Sequence, residues 1–254
     1  MIKPLVSVIM NCYNSEAYLS EAIESVLNQT YKNFELIFWD NKSTDNSAKI
    51  FKSYDDKRLK YFCANEFTSL YKARNLAISM SKGDLISFLD CDDIWVKNKL
   101  SYQLKLFNKG YKIIYGPYQV IDKDGKKLSE PNINLYSGYI TNRLLSKNLI
   151  SIGSIMIVSD IFKKEKFDDN LNLIGDFELW FRLSKKYKFI FTDEIIEFSR
   201  EHPENTSKIL NDKWIIEYKY FIKKHFSFKN ILNYPYFLKY IFRYFFKYLT
   251  RGFN

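Results

Sequence analysis

The chain has 254 residues, 46% of them hydrophobic, and a formal net charge of +10 at neutral pH. That length and apolar content suit one large α/β domain, alone or with an appendage, and exclude collagen-like, low-complexity and repeat architectures. The three cysteines, Cys12, Cys63 and Cys91, are scattered with no CxxC pair, and only two histidines are present, which argues against disulfides and structural zinc and for a reducing cytoplasm.

The first element, LVSVIMN (5–11), reads as a buried strand. Polar Asn11 and Asn14 then interrupt the apolar run and no small-residue cleavage site follows, so no signal peptide is expected. EAYLSEAIESVLNQT (16–30) carries Leu19, Ala22, Ile23, Val26 and Leu27 at helical spacing. FELIFWD (34–40) is a second apolar strand, STDNSAKIFKSY a capped helix, and RLKYFC (58–63) a third strand. LYKARNLAISMS gives another helix and DLISFLD (84–90) a fourth strand. Alternating helices and near-continuous apolar strands predict a mostly parallel sheet covered on both faces. Ligands in such sheets gather at the carboxyl ends of the strands, where Asn11, Asp40 and Asp90 all fall.

The fourth strand runs into FLDCDDIW, which puts Asp90, Asp92 and Asp93 within four positions. Neighbouring carboxylates repel, and a hard divalent cation such as Mg²⁺ or Mn²⁺ would keep all three ionised. Asp93 also suits the N-cap of a helix over IWVKNKLSYQLKLF. Beyond residue 110 the pattern changes. YKIIYGPYQVID and GKKLSEP read as strand and turn, SGYITNRLLSKN as a helix, SIMIVS (154–159) as a strand and DFELWFRLSKKY (176–187) as an amphipathic helix. The second part has no phosphate-binding loop of its own, so it is expected to complete the same site. The final segment reads as helical throughout.

Five stretches in order, VSVIMNCYN, ELIFWDNKSTDNS, ARNLAI, FLDCDD and GDFELWFRL followed by SREHPENTS, resemble glycosyltransferase family 2 over roughly residues 4–207. The resemblance implies a GT-A fold, a Rossmann-like α/β sheet, and inverting transfer of a sugar from a nucleotide donor to a glycan hydroxyl. It places Tyr13 against the base and Asn11 on the base or ribose. It also gives Asp40 and Asn41 to base recognition, where many relatives carry two aspartates, and turns Arg74 toward the phosphates. Asp92 would hold Mg²⁺ or Mn²⁺, Asp90 would contact ribose or metal, and Arg200 and His202 would lie near the metal and diphosphate. The catalytic base would be Asp176, although the usual preceding Glu is Gly175 here. Glu178 is a fallback base, about 200° around the helix. The implied division is a catalytic domain over 1–210, with a nucleotide-binding half (1–110) and an acceptor-binding half (111–210), and a tail over 211–254.

Rival readings fit less well. The turn NCYNSE has no glycines for a Rossmann oxidoreductase, the first strand lacks the aspartate pair of a haloacid-dehalogenase-type phosphatase, and no nucleic-acid-binding module is present. The basic excess lies in the tail, where nine Lys and Arg from Lys213 onward face Glu217 alone. In residues 230–254, Lys239, Arg243, Lys247 and Arg251 form one helical stripe and Leu238, Phe242, Phe245, Phe246 and Leu249 another. The apolar runs fall short of the roughly 20 residues needed to cross a bilayer. The tail is therefore expected to lie on an anionic membrane surface, at the inner face of the plasma membrane, beside a lipid-linked glycan acceptor.

Overall fold

The computed structural model describes residues 3–131, 134–146, 148–210 and 213–227. The tail segment 230–254 therefore lies outside the described residues. In chain order the elements are β1 (Val6–Cys12), α1 (Leu19–Leu27), β2 (Phe34–Asp40), α2 (Ser47–Lys52), β3 (Leu59–Cys63), α3 (Leu70–Ser79) and β4 (Leu85–Phe88). They continue with β5 (Ile94–Trp95), α4 (Lys99–Phe107), β6 (Ile113–Tyr115), β7 (Tyr118–Ile121), α5 (Thr141–Ser146), β8 (Met156–Val158) and α6 (Ser159–Phe162). The last are α7 (Gly175–Ser184), β9 (Phe189–Phe191), β10 (Glu197–Arg200), α8 (Thr206–Ile209) and α9 (Lys213–His225).

Seven strands form the main sheet in the order β3-β2-β1-β4-β8-β6-β9. The first four are mutually parallel, β8 runs antiparallel to both neighbours, and β9 is parallel to β6. The expected α/β sheet, mostly parallel, is thus the one observed. Val6, Val8, Ile9 and Met10 of the inner strand β1 are almost wholly buried, as a strand covered on both faces requires. β1 lies between β2 and β4, so the chain leaves it in opposite directions on either side and opens a crevice at its carboxyl end. A smaller sheet, β5-β10-β7, stands beside that crevice.

Two local expectations are corrected. Ile94 and Trp95 do not begin a helix; they pair antiparallel with Phe198 and Glu197 of β10, and α4 starts at Lys99. Asp93 is accordingly no N-cap, and its carboxylate accepts the Arg200 backbone N–H at 2.7 Å. The second correction is α7, which is buried nearly all round rather than amphipathic. α9 covers its outer face, with Phe221 packed 5.1 Å from both Phe177 and Phe181. α9 thus packs with the body that precedes it, although it lies beyond the division at 210.

The α7 N-terminus shows what α9 contributes. Its N-cap is Ile174, which has no side chain to offer the free N–H groups of the first turn. Glu217 of α9 holds the approach to that turn, accepting the N–H groups of Asn172, Leu173 and Ile174 at 2.7, 2.9 and 3.1 Å, while within the turn Asp176 Oδ1 accepts the Phe177 N–H at 2.6 Å. A buried carboxylate at a helix N-terminus also meets the positive end of the helix dipole. Glu217→Ala should therefore lower unfolding stability by about 1–3 kcal/mol, the cost of leaving buried donors unpaired. An unchanged urea midpoint would show that the Glu217 carboxylate does not hold the approach to α7.

Candidate active site

A cleft of about 340 Å³ opens at the carboxyl ends of β1 and β4. Its walls come from the β1–α1 turn, α3, the loop after β4, the start of α7 and the loop between β10 and α8. Asn11, Tyr13, Asn41 and Arg74 line it, as do Asp90, Asp92, Asp176 and His202. Asp40 and Arg200 do not line it. Residues from both halves of the chain therefore meet at one site.

The acidic loop is neutralised residue by residue. Asp90 accepts from Nη2 of Arg74 at 2.6 Å, with its own side chain still 37% exposed. Asp92 Oδ2 accepts from Asn205 Nδ2 at 3.0 Å and lies 3.0 Å from His202 Nε2. Asp93 is buried, and it keeps its proton well above the usual carboxylate range because of that burial and then the charges of Asp92, Glu197 and Asp90. Beneath it, burial pushes Glu197 up to about 7 although Ser151 Oγ donates to it at 2.8 Å. Burial likewise draws Lys99 down to about 7, its Nζ bonded to Ser87 Oγ and Gln103 Oε1 and lying 4.1 Å from the Trp95 ring centre. Each of the three carboxylates thus also has partners within the fold that ease their mutual repulsion.

Arg200 sits behind the loop rather than in the cleft. Its guanidinium donates to the backbone oxygens of Asp92 (2.9 Å) and Lys123 (3.0 Å), pairs with Glu21 and lies 4.5 Å from the Tyr18 ring centre. Asp90, Asp92 and His202 do not converge on one point. Among the described residues no group of three or more His, Cys, Asp and Glu side chains is arranged to hold a metal ion by itself.

On the other wall, Tyr13 and Phe67 are 49% and 60% exposed and stand 4.6 Å apart, an open aromatic pair at the rim. Asn11 presents a buried Nδ2 that has no hydrogen-bond partner. Asp40 is committed elsewhere, accepting from Tyr61 Oη at 2.6 Å and the Ser43 N–H at 2.7 Å. Asn41 is committed too. Its Nδ2 donates to the Thr68 carbonyl at 2.9 Å and its Oδ1 accepts from the Thr68 N–H and hydroxyl, both at 3.2 Å. The amide read as a base-recognition group holds the loop that carries Phe67.

Asp176 opens α7 with Oδ1 accepting from the Phe177 N–H at 2.6 Å and from Tyr71 Oη at 3.3 Å. Burial raises its pKa, with Arg74 pulling the other way. The approach to α7 is pinned by Asn75, which donates to the Phe167 carbonyl (2.9 Å) and to Asp169 (2.6 Å) and accepts from the Phe167 N–H (3.1 Å). Glu178, the fallback base, is excluded by position: it is fully buried outside the cleft among Arg182, Lys224 and His225, at 2.9–3.0 Å. Sequence reasoning missed Tyr71, Phe67, Asn205 and Glu217. Asn205 lay inside the quoted SREHPENTS, Tyr71 lay in the helix LYKARNLAISMS and Glu217 was counted as a charge, none of them with a role in the site.

A nucleotide-type α/β sheet with a carboxylate-bearing cleft at its switch point defines the class, and comparison with known proteins gives the family. The Glycosyl transferase family 2 model matches residues 7–164, and the chain belongs to that family. Its fold is of the GT-A type. A glycosyltransferase of Methanocaldococcus jannaschii is 31% identical over 95% of this chain and 87% of its own length. The Escherichia coli protein WfgD, a UDP-Glc:alpha-D-GlcNAc-diphosphoundecaprenol beta-1,3-glucosyltransferase, is 35% identical over 71% of this chain and 70% of its length. Staphylococcus aureus TarS in complex with UDP-GlcNAc shares the fold, with a TM-score of 0.66 at 20% identity over 78% of this chain and 58% of that one. Other relatives are much longer, and the chain spans about a third (31%) of a Rickettsia bellii glycosyltransferase that it matches at 36% identity.

Asn41→Ala should free the loop at Thr68 without disturbing the sheet. Amide exchange over residues 65–69 should rise while that of β1 and β2 stays protected. Unchanged exchange at Thr68 would mean that the Asn41 amide does not hold this loop.

Proposed function

We propose that this chain transfers a sugar, with inversion, from a nucleotide diphosphate donor of the UDP-hexose or UDP-N-acetylhexosamine class to a hydroxyl of a glycan acceptor. The observation that carries this reading is that one cleft is lined by the exposed Tyr13 ring, with Phe67 4.6 Å from it at the rim, by Asp90 and Asp92 of the acidic loop, and by the half-buried Asp176 carboxylate. Tyr13 and Phe67 stack on the base, an interaction worth about 1–3 kcal/mol per base, and the free Nδ2 of Asn11 takes a base or ribose oxygen. The donor thus seats against residues 1–110 and the acceptor meets 111–210.

Asp176 is the base. An acceptor hydroxyl has to lose its proton as it attacks the anomeric carbon, and a half-buried carboxylate at the cleft wall, its pKa raised by desolvation, is suited to take it. Arg74 beside it screens the donor phosphates from that carboxylate. The donor set also fits a divalent cation, because Asp92 presents a carboxylate to the cleft with Oδ2 oriented by Asn205, and His202 stands beside it. Asp92, His202 and the donor's own diphosphate oxygens would hold Mg²⁺ or Mn²⁺, with Asp90 nearby on Arg74. Bound there, the ion would act as a Lewis acid on the leaving diphosphate.

For the acceptor we favour a lipid-linked glycan used in bacterial surface polysaccharide or lipooligosaccharide synthesis. The support is the acceptor in the name of WfgD and the basic, aromatic composition of 230–254. No helix among the described residues is long and apolar enough to cross a membrane. The tail is accordingly read as a peripheral contact with anionic lipid.

A panel of nucleotide sugars, assayed for thermal stabilisation and turnover with and without Mn²⁺, tests this reading. Asp176→Asn should keep donor binding and lose turnover by roughly 10²–10⁴-fold, the usual worth of a positioned base. Asp92→Asn should lose the Mn²⁺-dependent part of donor binding. Near wild-type turnover by Asp176→Asn would remove the base assignment, and unaltered Mn²⁺ dependence in Asp92→Asn would remove the metal assignment.

A further inference from the structure

Position 175 is a glycine for a reason that lies across the cleft. A β-carbon there would stand 2.5 Å from Cε2 and 2.7 Å from Cγ of Tyr71, well inside van der Waals contact. The Tyr71 ring therefore occupies the space that any side chain at 175 would need. That ring is buried and fixed on three sides. Phe167 stacks on it at 5.3 Å, the Arg74 guanidinium lies 5.1 Å from its centre, and the backbone of Gly175 closes against it. Its hydroxyl points to Oδ1 of Asp176 at 3.3 Å.

We infer that Tyr71 is the positioning residue of Asp176, and that Gly175 and Tyr71 form one unit in which the missing side chain admits the ring that orients the base. The inference rests on Asp176 being that base. Two physical consequences follow. A hydrogen bond donated to a carboxylate favours its charged form, so Tyr71 acts to lower the pKa that burial has raised. The buried ring also replaces solvent next to the carboxylate, which leaves Asp176 with two fixed donors, Tyr71 Oη and the Phe177 N–H. The other groups facing Asp176 are Arg74 on α3, which favours its charge, Asp90 after β4, which opposes it, and Tyr118 on β7. None of these changes when only the Tyr71 hydroxyl is removed.

The test is Tyr71→Phe, with Asp176→Asn measured beside it. Tyr71→Phe keeps the ring, so the fold and the donor KM should hold. Its kcat should fall roughly 10–100-fold, the worth of a hydrogen bond to a charged group. The acid limb of its kcat profile should move to higher pH than in wild type, because the lost donor had favoured the carboxylate. A purely structural tyrosine would not move that limb. The pairing with Gly175 is read from a second cycle. Gly175→Ala should cripple turnover in the wild-type background and have little further effect in Tyr71→Ala, where the space is empty. Wild-type kcat and an unmoved acid limb in Tyr71→Phe, with Asp176→Asn inactive, would overturn the inference while leaving the base in place. Full activity in Asp176→Asn would overturn both. Equal losses from Gly175→Ala in the two backgrounds would show that glycine is needed for some reason other than the ring.

Discussion

The buried ion pair between Arg74 and Asp90 organises this site. A guanidinium only 3% exposed is sustainable where its charge is matched, and removing one member of such a pair is far costlier than the pair itself is stabilising. Burial works against the charge of Arg74, but Asp90, Tyr71 and Asp176 outweigh it and hold its pKa above the usual value. The position of Asp90 after β4 is thereby tied to α3. Asn75, the next residue on α3, grips the segment at Phe167 and Asp169 that leads to α7. One turn of helix thus sets the acidic loop on one wall and the approach to Asp176 on the other.

This arrangement answers the electrostatic problem posed by three aspartates in four positions. Asp90 is paired with Arg74, burial and neighbouring charge push the Asp93 carboxyl toward its neutral form, and the Asp92 carboxylate meets Asn205 and His202 at the cleft wall. Arg200 braces the same loop from behind through backbone oxygens, so its guanidinium orients the loop without entering the cleft. Functional charge is concentrated at one carboxylate by neutralising its neighbours.

Much of this was legible in the sequence because local pattern and global topology agree there. The apolar runs of β1, β2 and β4, separated by helical spacing, could bury themselves only as a parallel sheet, and the polar residues at their ends fell at its crevice. Where a distant partner decides, local pattern failed. Ile94 and Trp95 look helical until β10, a hundred residues on, offers an edge to pair with. α7 looks amphipathic until α9 covers its charged face and buries Glu178 among basic groups. The partners of Asn41 and Asp40 were invisible for the same reason, since Thr68 and Tyr61 reach them only through the fold. Tyr71 carried no local signal, and its meaning depends on the absence of a β-carbon at Gly175.

The central claim is a single displacement in which Asp176 deprotonates an acceptor while the donor's diphosphate leaves toward the acidic loop. Anomeric ¹H NMR of the sugar released in the first turnovers, with water or an acceptor as nucleophile, tests it directly. An α-linked donor should give a β-configured product, recorded before mutarotation scrambles it. An α-configured first product would mean retention, by two displacements or by attack on the face that the diphosphate leaves, and would contradict the account.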